Sequence, residues 1–323
     1  MLIETSSRRL ALLARLCRWF PPGFSGVFLR LYPHKTPEGQ AVSFTARSSI
    51  ADVTLSAPRI DWVSLCFAVR GFWEWQNVVI ANLACRPGDS IVEVGANIGT
   101  ESVLYARIVG SRGRLTCFEP LPANAELLES NLRRNRLSQA VVLRNAVSDR
   151  AGTLRFAPPA GDDNSGMGRL VDGVQADTAS IEVQCVTLDA LRAVGDLAAP
   201  RLLVIDVQGA ELAVLRGAER MLREDRPIVV VEAEAGLLAE HGDAPSDVFS
   251  HMKRLDYQTW QITKWGLTRD VPTSGKSINC VCFPGRGNEG GATLARRIHG
   301  AIRRAALLPL ISGLNPLMIA KCD

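Results

Sequence analysis

Residues 90–99, Ser-Ile-Val-Glu-Val-Gly-Ala-Asn-Ile-Gly, constrain this chain more than any other stretch. A short apolar run ends in a turn carrying Gly95 and Gly99, and helix-forming sequence follows at once. Glycine permits left-handed backbone angles and close approach, because a Cβ at such a point would collide. A strand, a glycine turn and a helix in direct succession open a doubly wound α/β sheet. The pattern then recurs. Strands are expected over 90–94, 114–118, 140–144, 201–205 and 228–231, with helices over about 99–109, 122–135 and 209–222. A helix over 245–255 precedes two more strands, 257–263 and 277–283, which makes seven. Apolar strands alternating with helices imply a mostly parallel sheet covered on both faces.

Acidic residues stand within or just beyond these strands: Glu93 in the first, Glu119 after the second, Asp206 after the fourth and Glu232 after the fifth. In such sheets ligands bind beyond the carboxyl ends, and a carboxylate about twenty positions past the glycine turn accepts from ribose hydroxyls. Glu119 occupies that position. The turn reads Glu93-x-Gly95-x-Asn97-x-Gly99, not the G-x-G-x-x-G of a pyrophosphate site. A carboxylate beside a diphosphate is repelled by about 1–4 kcal/mol. Beside an amino group and a sulfonium the same carboxylate is attractive, or orders a bridging water. The expected cofactor is therefore S-adenosylmethionine rather than NAD. A purely structural turn is the alternative, but it leaves the paired acids without a packing reason.

Five motifs occur in order: Glu93-Val-Gly-Ala-Asn-Ile-Gly99, Phe118-Glu119-Pro120, Asn145-Ala-Val-Ser-Asp149, Val186-Thr-Leu-Asp189 and Ile205-Asp-Val-Gln-Gly-Ala-Glu211. In these the chain resembles FkbM-type methyltransferases, from about Pro87 to Pro284. The resemblance implies a Rossmann-like methyltransferase fold: a seven-stranded, mostly parallel sheet with helices on both faces and its last strand inserted antiparallel. It also implies an S-adenosylmethionine-dependent O-methyltransferase acting on a hydroxyl of a sugar, glycolipid, polysaccharide or secondary metabolite. Two departures bear on charge near the acceptor. The family commonly reads Asp-Val-Glu-Gly where this chain has Gln208, and a frequent Lys two places before the Asp is Val204 here.

The cofactor contacts expected from these positions are Glu93, Gly95, Asn97 and Gly99 in the first turn, and Glu119 and Pro120 after the second strand. Ala146 and Asp149, after the third strand, are expected near adenine. Asp206 is the first candidate for a general base or acceptor-orienting group, with Glu232 second; Asp206 binding the methionine amino group is the alternative. Glu119 has its own rival role, as a helix-initiating acid before Pro120. Glu211 reads as a structural acid at a helix start, and His241 as a weaker candidate base. Trp260 and Trp265 are candidates for stacking on a sugar, or for core or dimer contacts.

With 323 residues, 47% hydrophobic and 22% charged, the chain reads as globular. Three parts are expected: a helical and short-strand cap over 1–85, the methyltransferase domain over 86–285 and a basic amphipathic extension over 286–323. The Gly-, Asp- and Ser-rich loop 158–180 reads as a binding lid or as disorder. Eight cysteines show no C-x-x-C pair and read as reduced core thiols of a cytoplasmic protein. Four scattered histidines give no metal signal. Residues 1–35 carry a net charge of +5, residues 286–323 carry +4, and the middle carries −5, which argues against a nucleic-acid groove.

Arg15 and Arg18 interrupt the N-terminal apolar run, so it does not read as a signal peptide. The basic amphipathic ends have two readings: contact with an anionic membrane surface, at the inner membrane face, or docking on the core or on a second subunit of a homodimer. The second is the stronger expectation. Two rival functions follow from the same residues. One is a catalytically silent module that binds a partner or membrane through its basic ends; the other is an NAD(P)-dependent oxidoreductase, which the spelling of the turn disfavours.

Overall fold

The computed structural model describes residues 2–157, 169–171, 180–272, 277–285, 289–310 and 315–319. Eight strands form the main sheet: β1 (Ser90–Val94), β2 (Arg114–Phe118), β3 (Ala140–Leu143), β4 (Leu202–Ile205), β5 (Ile228–Ala233), β6 (Tyr257–Thr263), β7 (Gly266–Thr268) and β8 (Ile278–Pro284). Their order across the sheet is β7-β6-β8-β5-β4-β1-β2-β3. The five strands β1 to β5 run parallel, while β8 lies antiparallel between β5 and β6. All seven expected strands are present. The eighth, β7, is a three-residue hairpin partner of β6, too short to leave a periodic signal.

From β1 the chain winds outward through β2 and β3, then returns to build β4 on the other side of β1. The switch point therefore lies between β1 and β4. Its register sets up the site. Val94 pairs with Phe118 on one side and with Ile205 on the other, and Ile205 pairs with Val231. The next residue on each strand therefore falls in a single row across four neighbours: Glu119, Gly95, Asp206 and Glu232.

Helices Ser102–Val109 and Pro122–Arg134 follow β1 and β2. The helix expected over 209–222 is two short ones, Glu211–Arg216 and Glu219–Glu224, broken at Gly217-Ala218. A Cβ on Gly217 would overlap the carbonyl oxygen of Ser148, so the break lets the two segments touch. Strands over 152–157 and 181–186 pair antiparallel in a separate four-stranded sheet with 146–147 and 169–171. The suggested lid over 158–180 lies, apart from 169–171 and 180, outside the described residues.

Ahead of the main sheet, Ile3–Thr5, Phe44–Arg47 and Thr54–Ala57 form a small antiparallel sheet, with helices Arg8–Cys17, Trp62–Arg70 and Trp75–Ala84 around it. This sheet is clamped to the helix after β2 by two asparagines. Asn131 accepts from Ser56 N at 2.8 Å and donates to Ile98 O at 2.9 Å. Asn135 accepts from Thr54 N at 2.7 Å and donates back to its carbonyl at 2.6 Å. One apolar core joins Leu10, Phe67 and Ile80 of this region to Ile91 and Tyr105, and to Ile298 and Ile302 near the C-terminus.

The apolar faces of both basic ends are spent on that core. Leu10, Leu13, Ala14 and Cys17 of helix Arg8–Cys17 are buried, as are Ala295, Ile298, Ile302 and Ala305 of helix Glu289–Leu307. Among the two readings of the ends, docking on the core holds for these stripes. Leu16 and Phe20, by contrast, are exposed.

Candidate active site

A cavity of about 270 Å³ opens at the carboxyl ends of β1, β2, β4 and β5. Its wall includes Glu93, Gly95, Asn97, Glu119, Pro120, Ala146, Asp206 and Glu232, so eight of the ten expected site residues converge. Gly99 and Asp149 do not line it. Gly99 adopts φ +91°, and a Cβ there would lie 2.7 Å from Leu128, so the glycine serves packing against the next helix. Asp149 is exposed, because the chain past Ala146–Val147 turns away to hydrogen-bond with Val186. Gly95 also answers to the protein itself. At φ +90°, its missing Cβ would overlap the carbonyl oxygen of Asp206 on β4.

Each acid is held differently. Glu119 accepts from Asn97 N through one oxygen and from Leu121 N through the other, both at 2.9 Å. It thus ties the β1 turn to the start of the following helix, which is the structural role weighed above, while facing the cavity. A carboxylate oxygen has a further lone pair, so this does not exhaust its capacity. Burial pushes Glu119 up to about 7, against those two backbone donors. Glu93 is buried, accepts from Ser102 Oγ at 2.6 Å, and is likewise raised by burial to about 7.

Asp206 accepts from Gln208 Nε2 at 2.6 Å. Burial, then the nearby Glu232 and Glu74, push it well above the ordinary carboxyl range. Gln208 sits at φ +56° and Gly209 at φ +108°, so the turn after β4 is left-handed twice. Glu211, read as a helix-start acid, accepts from Gly209 N at 3.0 Å and holds that turn. Glu232 accepts from Ser277 Oγ across the β5–β8 pair.

Sequence reasoning missed several wall residues. Trp62 opens helix Trp62–Arg70, Trp73 and Glu74 lie just ahead of helix Trp75–Ala84, and Glu101 comes from just before the helix after β1. Burial and then Glu232 raise Glu74 to about 7; burial and then Glu74 and Glu93 raise Glu101. Glu101 accepts from the Tyr105 hydroxyl at 2.9 Å. His241, Trp260 and Trp265 are not part of the wall. Trp260 instead lies under Arg269, and Trp265 packs edge-on against Phe24.

Seven carboxylates line the cavity, and among the described residues no Lys or Arg does. Like charges so close raise one another's pKa unless a cation enters. A ligand carrying a sulfonium and an ammonium satisfies that demand; a diphosphate does not. Among the described residues, no three His, Cys, Asp or Glu side chains are grouped to hold a metal ion. A doubly wound sheet with an antiparallel last strand, and an acid-walled cleft at its switch point, defines a Rossmann-like S-adenosylmethionine-dependent methyltransferase.

Residues 93–259, just over half of the chain, match the Methyltransferase FkbM domain. The chain belongs to the FkbM methyltransferase family and is an S-adenosylmethionine-dependent methyltransferase. It is similar to the hexuronic acid methyltransferase AglP of Haloferax volcanii, 29% identical over 224 residues, which cover 68% of this chain and 85% of that protein. It is also similar to the 2-O-methyltransferase NoeI of Sinorhizobium fredii, 26% identical over 46% of this chain and 64% of that one. With the 31-O-demethyl-FK506 methyltransferase FkbM of Streptomyces tacrolimicus the identity is 34%, over 42% of this chain and 61% of that one. Among solved structures, the methyltransferase FkbM from Methylobacillus flagellatus aligns with a TM-score of 0.42 and 16% identity, over 85% of this chain and 58% of that one.

Proposed function

We propose that this enzyme methylates a hydroxyl of a neutral or amino-bearing sugar, free or attached to a lipid, polymer or secondary metabolite. AglP is named for a hexuronic acid and NoeI for 2-O-methylation, which supports a sugar hydroxyl as the acceptor class. The observation that carries the reading is the acid wall, in which no Lys or Arg occurs among the described residues. A uronate entering this cavity would add a further negative charge, whereas a neutral ring or an ammonium would not. Trp62 and Trp73 offer flat apolar surface on the same wall, suited to a sugar face.

S-adenosylmethionine supplies an activated methyl group on a positively charged sulfur. The residues assigned to hold it are Glu93, Gly95, Asn97, Glu119, Pro120 and Ala146. Glu119 would accept from ribose hydroxyls with the lone pairs that its two backbone donors and Asn124 leave open. Asp206 takes the proton from the acceptor hydroxyl. Burial, then the neighbouring Glu232 and Glu74, raise its pKa, which makes its carboxylate a stronger proton acceptor than an exposed aspartate. The Gln208 amide fixes one Asp206 oxygen and thereby directs the other. Glu232, steadied by Ser277, orients the acceptor beside it. With the cofactor bound, the main contribution of these residues would be to position the acceptor oxygen and keep water away from it.

The seven described cysteines are all buried and none is in a disulfide, which supports a reducing, cytoplasmic setting. The deciding assay supplies methyl-radiolabelled S-adenosylmethionine with matched neutral, amino and uronic glycosides. Label should appear on the neutral or amino sugars in preference to the uronate. Preferential labelling of the uronate would contradict the acceptor assignment.

A further inference from the structure

Singly exposed apolar side chains are ordinary on a protein surface, but contiguous ones mark an interaction site. Here they gather where three segments meet. Trp19 is 66% exposed and Phe20 follows it, just before the 3₁₀ segment Pro22–Leu31. On that segment Phe24 and Val27 are exposed at the three-residue spacing that aligns side chains in a 3₁₀ helix. The β6–β7 turn adds Trp265, whose ring meets Phe24 edge-on with centroids 6.1 Å apart. Lys264 Nζ lies 4.9 Å from both ring centroids. Gly23 is seated against Ala306 of the C-terminal helix, and the neighbouring Leu307 is again exposed. None of these residues lines the catalytic cavity.

On the two terminal segments the charge has one sign. Between Glu4 and Glu38 the chain has no acidic residue, and none occurs from 290 to 322. Arg15, Arg30, Lys264, Arg303 and Arg304 are exposed on the same three segments. Exposed Trp and Phe rimmed by cations is the composition of a surface that lies in the headgroup layer of an anionic bilayer. A second copy docking symmetrically on this face would bring the two basic rims together, which is repulsive. Among the described residues no helix is long and apolar enough to cross a membrane, so such contact would be peripheral.

We infer that the surface formed by Trp19, Phe20, Phe24, Val27, Lys264 and Trp265 docks this enzyme on an anionic lipid bilayer. It is distinct from the buried stripes of the two basic helices, which face the core. The inference rests on no reading of the catalytic site.

Flotation of the full-length protein with vesicles tests it, using phosphatidylcholine alone or with 30% phosphatidylglycerol. The wild type should float with the anionic vesicles, and at least tenfold less with neutral vesicles or in 0.5 M NaCl, where screening is strong. The combined substitutions Trp19→Ser, Phe24→Ser and Trp265→Ser should lower anionic flotation at least tenfold while calorimetric S-adenosylmethionine affinity stays unchanged. Should that variant fail to fold, the charge reversals Arg30→Glu and Lys264→Glu should still lower flotation severalfold. Wild-type protein that stays at the bottom of the gradient would overturn the inference. So would folded variants of both kinds that float as well as wild type. A wild-type dimer that the serine variant dissociates, with no vesicle binding by either, would assign the face to a second copy instead.

Discussion

Asp206 and Glu119 are both acids at strand ends, yet their surroundings give them different work. Asp206 has one fixed donor, Gln208, while burial and then its carboxylate neighbours keep its pKa high. Asp206→Asn should therefore lower turnover roughly a hundredfold while S-adenosylmethionine still binds, as measured by steady-state kinetics beside calorimetry. Unchanged turnover would remove Asp206 from the base role. Glu119→Ala should instead weaken cofactor affinity, and wild-type affinity by calorimetry would contradict the ribose assignment. Gly95→Ala should destabilise the fold by about 3 kcal/mol in denaturant titrations, through a left-handed φ and a backbone overlap. Gln208, a departure from the family's usual Glu, removes one charge from a wall that already holds seven. The strand-end acids were legible because each ends an apolar run that register then aligns. Glu74, Trp62 and Trp73 were not, because they reach the cavity only through the docking of helices far away in sequence.

At the level of elements, the alternation of strands and helices was readable because strands buried on both faces leave continuous apolar runs. The breaks were not. Gly217 interrupts an otherwise helical stretch because the segment at Ser148 needs the space of its Cβ, a contact no local pattern encodes. The N-terminal hairpin is another such case. Its strand Thr54–Ala57 meets the helix after β2 through Asn131, which reads in sequence as one more position on a helix face. Replacing Asn131 by Ala would strand the Ser56 amide and the Ile98 carbonyl. A loss of about 2 kcal/mol is expected in urea unfolding, larger than for an exposed polar position. The basic ends were legible as amphipathic helices. Their burial stripes and the separate exposed patch became distinguishable only once three segments were brought together.

For the whole molecule, the acid wall links protonation to stability and to ligand. Burial raises Glu74, Glu93, Glu119 and Glu211 from 4.5 to about 7. Between those values the folded protein holds more protons than the unfolded chain, so stability falls as pH rises. That contribution is fully present below the unfolded value and is lost as pH climbs through about 7. The ligand-free protein should accordingly melt at lower temperature at pH 8 than at pH 5.5, and S-adenosylmethionine should restore more stability at the higher pH. A ligand at about a hundred times its dissociation constant adds about 2.7 kcal/mol.

A cation entering the wall favours ionised carboxylates, so binding must expel protons. Titrating S-adenosylmethionine into the enzyme at pH 6.5, in two buffers of different ionisation heat, measures that release. The account predicts net proton release with S-adenosylmethionine, less with the uncharged sulfur of S-adenosylhomocysteine, and no binding of NAD. Proton uptake on binding S-adenosylmethionine, or a preference for NAD, would contradict it.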